Sequence, residues 1–393
     1  MATAASKQNR ALTLPGLRLG VIGAADLRNL GFIFAGFLGV LLLIPPPRIY
    51  PVTDDWIYSQ SVSELTRLAY KPHDWTQPIA IGHLAWGAVW AALFGNTFTV
   101  LTLANMVMSL ACLFTFYLLL RQLRVQSGPA FFGVALLGFN PIYIYISYSF
   151  MTDVTFLFYL LAACLLYIRG LQGRGERWLW LGGVATALAY LTRQYGILAI
   201  IAALIYMCLL EKRTWRQAVS IAAIPLVAVA GYAFWARFQP SPLIDTQMDL
   251  VHKQMLQQPL RYLDGRMLHI AWLVTSLGAC MIPLLSIPRR VLWSLPVLAF
   301  VLYYQFEGLH FTGSLFPQNG NVIDSTGLLM YGYDANPVWH HAVWSILGAV
   351  GGVAFSFLFL YWVRELRRYI SARPWRNRGD QDPAFVPYAL AFM

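Results

Sequence analysis

Charged residues are scarce in this chain. Only 11% of its 393 residues are Asp, Glu, Lys or Arg, whereas 58% are hydrophobic, and the mean hydropathy is +0.57. About a quarter of the residues in a typical soluble domain are charged, so this composition excludes a globular protein with a water-facing surface. The apolar residues instead form runs of about 20 residues, the length that an α-helix needs to cross a bilayer.

Cysteine pairs and the motifs of common soluble enzymes are also missing. The four cysteines all lie inside apolar runs, and no Cys-x-x-Cys spacing occurs, which excludes a disulfide framework and a cysteine-based zinc site. No His-Glu-x-x-His, nucleophile elbow or phosphate-binding loop is present, and we do not predict His83, His340 or His341 as metal ligands. The net charge of +11 does not indicate nucleic acid as a partner, because the basic residues cluster in short loops between apolar runs.

We predict an all-α polytopic membrane protein with about ten transmembrane helices. Residues 1–28 form a cytoplasmic tail, residues 29–362 the transmembrane domain, and residues 363–393 a basic cytoplasmic C-terminal tail. The predicted spans are residues 29–46, 97–120, 129–150, 151–169, 178–192, 194–210, 216–236, 267–286, 290–306 and 338–362.

The apolar stretch Pro78–Gly95 decides the orientation of every later span. If this stretch stays on one side, 20 of the 28 lysines and arginines share the side of the N-terminus, and if it crosses, only 9 do. Cytoplasmic loops carry the excess of Lys and Arg, so we predict that the stretch does not cross. It would lie as an interfacial or partly re-entrant helix in the first outer loop, residues 47–96, which suits its tryptophans Trp86 and Trp90.

The outer loops are long and the inner loops are short and basic, so we predict that function resides on the outer face. Two adjacent carboxylates, Asp54 and Asp55, follow the first span and precede an amphipathic interfacial helix predicted over residues 56–70. One of them can cap this helix, but a cap needs only one carboxylate. The alternative is that one of the pair is a general base or a metal ligand, with a pKa tuned by burial and by its neighbour.

Asp153 and Arg193 occupy two outer turns that are otherwise apolar. A carboxylate at membrane depth is costly and by default marks a functional site, although Asp153 can also cap the helix that follows it. Arg193 is a basic residue on the predicted outer side, whereas most lysines and arginines are predicted on the inner side. Its guanidinium suits the phosphate of a membrane-borne substrate. Snorkelling to lipid headgroups is the alternative role for this side chain.

The span before Asp153 contains Pro141, which removes a backbone hydrogen bond and is expected to kink the helix. The tyrosines that follow it match an interfacial aromatic belt. One of them, Tyr148, is also a candidate for contact with a substrate, as is His83 in the interfacial helix.

Four short motifs, in this order and spacing, resemble the membrane-embedded glycosyltransferases of the C superfamily. They are DDWIY at 54–58, LFGN at 93–96, YSFMTDVTFLFY at 148–159 and LTRQYG at 191–196. The likeness covers roughly the first 210 residues. It is closest to the branch that contains protein O-mannosyltransferases and the bacterial aminoarabinose transferases that modify lipid A.

This resemblance implies an enzyme that transfers a sugar from a polyprenyl-phosphate donor to an acceptor at the non-cytoplasmic face, with inversion. Asp54 would be the base that activates the acceptor, and Asp55, Tyr58 and Asp153 would shape the acceptor and sugar pocket. Arg193 would bind near the lipid phosphate. The lipid-linked sugar would be a co-substrate, and membrane lipid would surround the protein. Whether the acceptor is a lipid, a glycan or a protein stays open, as does the use of a divalent metal.

The chain departs from this family in two ways. Where the aminoarabinose transferases have Glu-Lys-Pro and many relatives His-Pro-Pro, it has Thr76-Gln77-Pro78, so Gln77 takes the place of a lysine or histidine contact. No large soluble domain follows the last predicted span, and this compact size favours the bacterial inner membrane. A transporter or lipid flippase, with Asp153 and Arg193 as an ion pair in a translocation path, is the alternative function, and a membrane assembly protein is a third.

Overall fold

The computed structural model describes residues 23–43, 54–70, 79–123, 125–172, 175–207 and 215–238, together with residue 253 and residues 256–257, 323–324 and 327–328. Almost all of these residues are helical. The helices are α1 (Ala24–Leu43), α2 (Asp55–Thr66), α3 (Ile81–Phe94), α4 (Phe98–Gln122), α5 (Ser127–Gly138), α6 (Pro141–Ser147), α7 (Thr152–Leu171), α8 (Glu176–Thr192), α9 (Leu198–Ile205) and α10 (Trp215–Ala236), with a 3₁₀ turn at Gln194–Ile197. A short antiparallel ladder, β1 (Ile323–Asp324) with β2 (Gly327–Leu328), is the exception.

The all-α prediction is confirmed for the described part of the chain, apart from this ladder. Helices α1, α4 and α7 and the Ala218–Ala236 part of α10 are long and apolar enough to cross a membrane. The predicted spans 267–286, 290–306 and 338–362 lie outside the described residues. The total of about ten spans therefore stays a prediction.

The predicted span 129–150 is divided into two helices. Helix α5 ends at Gly138, and α6 begins at Pro141. Proline is tolerated at the first position of a helix, because its missing N–H would have no helical partner there. The Asn140 side-chain oxygen accepts a hydrogen bond from the Tyr143 N–H at 3.4 Å, as a helix-capping residue does. The sequence at Asn140 and Pro141 thus starts a new helix, where only a kink was expected.

Contacts between helix ends show which ends lie together. Asp26 at the start of α1 contacts Arg121 at the end of α4, and Gln122 beside it donates a hydrogen bond to Gln172, just past the end of α7. At the opposite end of the bundle, Arg193 after α8 contacts Asp153 in the first turn of α7. We call these the Asp26 end and the Arg193 end.

The Asp26 end is held together by a polar network around one carboxylate. The Tyr117 hydroxyl donates to Asp26 Oδ1 at 2.7 Å, and Arg121 Nε lies 2.9 Å from the same oxygen. The Asn29 amide also donates to the backbone oxygen of Ser127 at 3.1 Å. Helices α1, α4 and α5 are thereby tied to one another at their shared end.

Asp26→Asn is expected to lower the free energy of unfolding by about 2 kcal/mol. The substitution removes the negative charge of Asp26, which contacts both Arg121 and Tyr117. Hydrogen bonds to charged groups are worth about 1.5–3 kcal/mol. Thermal unfolding of the purified protein in detergent measures the change. Arg28→Gln, which removes an exposed charge from the same helix, is the matched control, and an equal loss in both variants would contradict this role of Asp26.

Helices α2 and α3 pack on the Arg193 end through their own apolar cluster. Its buried members include Tyr58 and Val62 of α2, Leu84 of α3, and Phe150 from the turn before α7. Helix α3 comes close to the last turn of α8, since a Cβ atom added at Gly82 would lie 2.7 Å from the backbone oxygen of residue 188. Only glycine allows this approach.

Helix α3 is short, and its predicted place at the membrane surface stays a prediction. Its 14 residues rise about 21 Å at 1.5 Å per residue, which falls short of the ~30 Å of hydrocarbon in a bilayer. The helix predicted over 56–70 is also present, as α2 (Asp55–Thr66). Two helices are therefore present where the sequence predicts them, and their place in an outer loop stays a prediction.

Candidate active site

The Arg193 end contains an ion pair between two residues that the sequence analysis selected. Arg193 Nη2 lies 2.9 Å from Asp153 Oδ1, and the two side chains are 24% and 36% exposed. The Nε–H of the same guanidinium donates to the Thr152 hydroxyl at 3.0 Å. Partial exposure leaves the pair accessible to a ligand, while the buried Thr152 fixes the orientation of the guanidinium.

The turn that carries Arg193 folds back tightly on α8. The Arg193 N–H donates to the Ala189 oxygen at 2.8 Å, and the Gly196 N–H donates to the Arg193 oxygen at 2.9 Å. A Cβ atom added at Gly196 would lie only 2.3 Å from the Tyr190 nitrogen. The glycine of the LTRQYG motif is therefore required for the position of Arg193.

His83 bridges both sides of the turn that carries Asp153. Its Nε2 lies 3.2 Å from the backbone oxygen of Phe150, and its Nδ1 lies 2.9 Å from the Thr155 hydroxyl. A carbonyl oxygen only accepts, so Nε2 carries the hydrogen, and in the neutral ring Nδ1 accepts from Thr155. One imidazole thus ties residues 150 and 155 together, with Asp153 between them.

The His83 ring is neutral at ordinary pH. Complete burial is the main cause that lowers its pKa to about 3, because a buried imidazolium loses its hydration. The hydrogen bond to Phe150 raises the pKa in part, and the positive charge of Arg193 lowers it further. With both nitrogens engaged, this geometry favours a positioning role, and the substrate contact predicted for His83 stays a prediction.

Helix α2 brings its carboxylates to the same end of the bundle. The Tyr58 ring packs edge-on against His83, with 5.6 Å between ring centroids. Asp55 lies one turn before Tyr58 and is fully buried. Asp54 precedes the helix, its side chain makes no capping hydrogen bond, and partial burial raises its pKa above the ordinary value of 3.8. The capping role is therefore not observed for Asp54, and a base of raised pKa is in keeping with the alternative.

The remaining candidate residues are less directly connected. The Tyr148 hydroxyl donates to the backbone oxygen of Leu41 at the end of α1, which joins α1 to the Arg193 end. Gln77 lies outside the described residues. Within the ranges that the structure describes, no three His, Cys, Asp or Glu side chains form a metal-binding group. The arrangement that the resemblance implies, with Asp54, Asp55 and Asp153 at one pocket close to Arg193, stays a prediction.

Asn105 supports the site and was missed by the sequence analysis. Its side chain is completely buried in α4. The amide nitrogen donates to the backbone oxygens of Ile146 at 2.8 Å and Ser149 at 2.6 Å, just before the turn that leads to Asp153. A lone asparagine inside a long apolar span is a polar exception of the kind that marks function in membranes, and this signal could have found it.

Comparison with known proteins tests the resemblance that the sequence motifs indicate. The family model of dolichyl-phosphate-mannose-protein mannosyltransferase matches residues 77–235, which include His83, Asp153 and Arg193. No curated protein and no solved structure matches the chain. Its apolar helices make the chain an integral membrane protein. The resemblance stated from the sequence is therefore confirmed: residues 77–235 match a membrane glycosyltransferase domain of the C superfamily, that of the dolichyl-phosphate-mannose-protein mannosyltransferase family.

Proposed function

We propose that this protein transfers a sugar from a polyprenyl-phosphate carrier to an acceptor at the non-cytoplasmic face of the membrane. The observation that carries the proposal is the partly exposed pair of Arg193 and Asp153, which lies within the matched glycosyltransferase domain. A guanidinium suits a phosphate oxygen, because its N–H groups form charge-assisted hydrogen bonds. Arg193 is the residue that we assign to the donor phosphate.

The transfer requires a base more than an acid. The acceptor hydroxyl oxygen attacks the anomeric carbon and forms the new C–O bond, while the bond from that carbon to the phosphate oxygen breaks and its electron pair leaves with the polyprenyl phosphate. The hydroxyl proton passes to a carboxylate, for which Asp54 is the leading candidate. Attack opposite the leaving group inverts the configuration of the sugar, and Arg193 stabilises the charge that develops on the phosphate.

We infer the orientation from the positions of the basic residues. Arg121 and Arg169 lie at or near the Asp26 end, in the last turns of α4 and α7. Because positive residues stay in the cytoplasm, we assign the Asp26 end to the cytoplasm and the Arg193 end to the opposite face. For a bacterial inner membrane, the reaction would take place on the periplasmic side.

Transfer is tested with radiolabelled polyprenyl-phosphate sugars, beginning with polyprenyl-phosphate mannose, and the purified full-length protein in detergent. We expect release of polyprenyl phosphate together with a labelled acceptor, and loss of both in Arg193→Gln. An extract of the envelope of the host cell supplies lipid, glycan and protein acceptors in one reaction. Failure to release polyprenyl phosphate from any of a panel of such sugars would overturn the proposal.

The transporter alternative uses the same ion pair, because Asp153 and Arg193 also fit a coupled pair in a translocation path. The two functions differ in whether a covalent bond changes. In sealed vesicles a transporter moves the intact lipid-linked sugar, whereas a transferase leaves free polyprenyl phosphate behind. Recovery of the donor unchanged on the opposite side would favour the transporter.

A further inference from the structure

Two ion pairs at opposite ends of the bundle are held very differently. At the Asp26 end, Asp26 accepts hydrogen bonds from the Tyr117 hydroxyl and the Gly23 N–H in addition to its contact with Arg121, and its side chain is 9% exposed. At the Arg193 end, Arg193 is the one partner of the Asp153 carboxylate among the described residues, and the Asp153 side chain is 36% exposed. The first pair is held by additional hydrogen bonds and shielded from solvent, whereas in the second pair another anion can replace the carboxylate.

We propose that Asp153 occupies, in the ligand-free protein, the place on Arg193 that the donor phosphate takes. Carboxylate and phosphate oxygens accept the same N–H groups of a guanidinium, so binding of the donor exchanges one anion for another. The inference rests on the proposed function, in which Arg193 binds the phosphate of a polyprenyl-phosphate sugar. Asp153 is then a competitor of the donor before binding and a free carboxylate after it.

Thr152 allows the exchange to occur without loss of the site. Its hydroxyl accepts from Nε of Arg193, whereas Asp153 contacts Nη2. When Asp153 leaves, the bond from Nε remains, and the guanidinium keeps its orientation toward the incoming phosphate. Thr152 is thus a positioning residue for Arg193.

The released carboxylate acquires a second role. A sugar carries several hydroxyl groups, and an ionised carboxylate is a strong acceptor for their hydrogen bonds. The Asp153 carboxylate, freed close to the phosphate, is placed to accept from a hydroxyl of the attached sugar. The sugar pocket would therefore be completed only when the donor is bound.

Binding of farnesyl monophosphate, a short polyprenyl phosphate, to the purified full-length protein tests the exchange, with farnesol as the phosphate-free control. Asp153→Asn is expected to bind farnesyl monophosphate up to about fivefold more tightly, the upper end for the loss of one partly exposed ion pair. Asp153→Ser is expected to show the same gain, and Thr152→Val is expected to bind more weakly, with recovery in Thr152→Ser. Farnesol binding should be the same in all variants.

The outcomes separate the exchange from the proposed function. If Asp153→Asn and Asp153→Ser bind no better than the wild type while Arg193→Gln loses binding, the exchange is overturned and the phosphate site stands. If Arg193→Gln binds as well as the wild type, the phosphate site fails. Glu64→Gln on α2 removes one negative charge elsewhere, and an equal gain in this variant would also overturn the exchange. Thermal unfolding of each variant shows that the folded protein is being compared.

Discussion

Asp54→Asn is expected to reduce the rate of sugar transfer by at least about 100-fold, because general bases contribute about 10²–10⁴ to enzymatic rates. The substitution keeps the size of the side chain and removes its ability to take the acceptor proton. The variant should still fold, since Asp54 precedes α2 and makes no capping hydrogen bond there. Initial rates of polyprenyl phosphate release measure the loss.

The pH dependence of kcat/KM provides a second readout for the same residue. Partial burial raises the pKa of Asp54 above 3.8, and a base acts only when it is deprotonated. The rate should therefore fall on the acid side at a higher pH than an ordinary aspartate would give, and it should be lost as the pH drops through the raised pKa.

Glu64→Gln is the matched control for Asp54→Asn. Glu64 lies on the same helix, outside the site that we assign, so its amide variant should retain the rate and the acidic limb of the profile. Near-normal transfer by Asp54→Asn would remove Asp54 as the base. Asp153→Asn would then be the next variant to measure, because it carries the other candidate carboxylate.

His83→Phe is expected to lower the free energy of unfolding by about 3 kcal/mol. The phenyl ring fits the space of the imidazole but leaves the Phe150 oxygen and the Thr155 hydroxyl buried without their partner, at about 1–3 kcal/mol for each group. His83→Gln supplies one donor and one acceptor and should recover part of the loss. Thermal unfolding in detergent compares the variants, and a His83→Phe protein as stable as the wild type would contradict this role.

The same residue should make the stability depend on pH. Its pKa in the folded protein, about 3, lies below the ordinary value of about 6.5, so the unfolded chain binds the proton more tightly. This stability is fully present above pH 6.5 and is lost as the pH falls toward 3. Between pH 7 and pH 5 the wild type should lose on the order of 2 kcal/mol more than His83→Gln, and equal losses would show that His83 is not the titrating group.

The sequence predicts more about the class of the protein than about the support of its site. The long apolar runs predicted α4 and α7 to within two residues, because the bilayer imposes both length and composition on a span. The motif around Asp153 and the motif around Arg193 were selected separately, and the structure brings them into contact at 2.9 Å. A charged residue at an otherwise apolar turn is thus a useful indication of which residues to examine in a membrane protein.

The support of the site was harder to predict, since it depends on contacts between residues far apart in the chain. Nothing local to His83 indicates that its two nitrogens reach residues 67 and 72 positions away. The division of the predicted span at Pro141 depends on the fold as well, since proline either kinks a helix or starts a new one. Thr152 was visible as a polar neighbour of Asp153, but its hydrogen bond to Arg193 requires the position of α8.

The network of hydrogen bonds and the ion pair around Asp26 also limits how the helices can move. Helices α1, α4 and α5 are fastened where they meet the cytoplasm on our assignment, so a rearrangement that admits a lipid chain should leave that base almost unchanged. The helices would then separate mainly at their opposite ends, toward the other membrane surface. The lipid-linked substrate would thus enter laterally from the bilayer, while the helices stay closed at the cytoplasmic side.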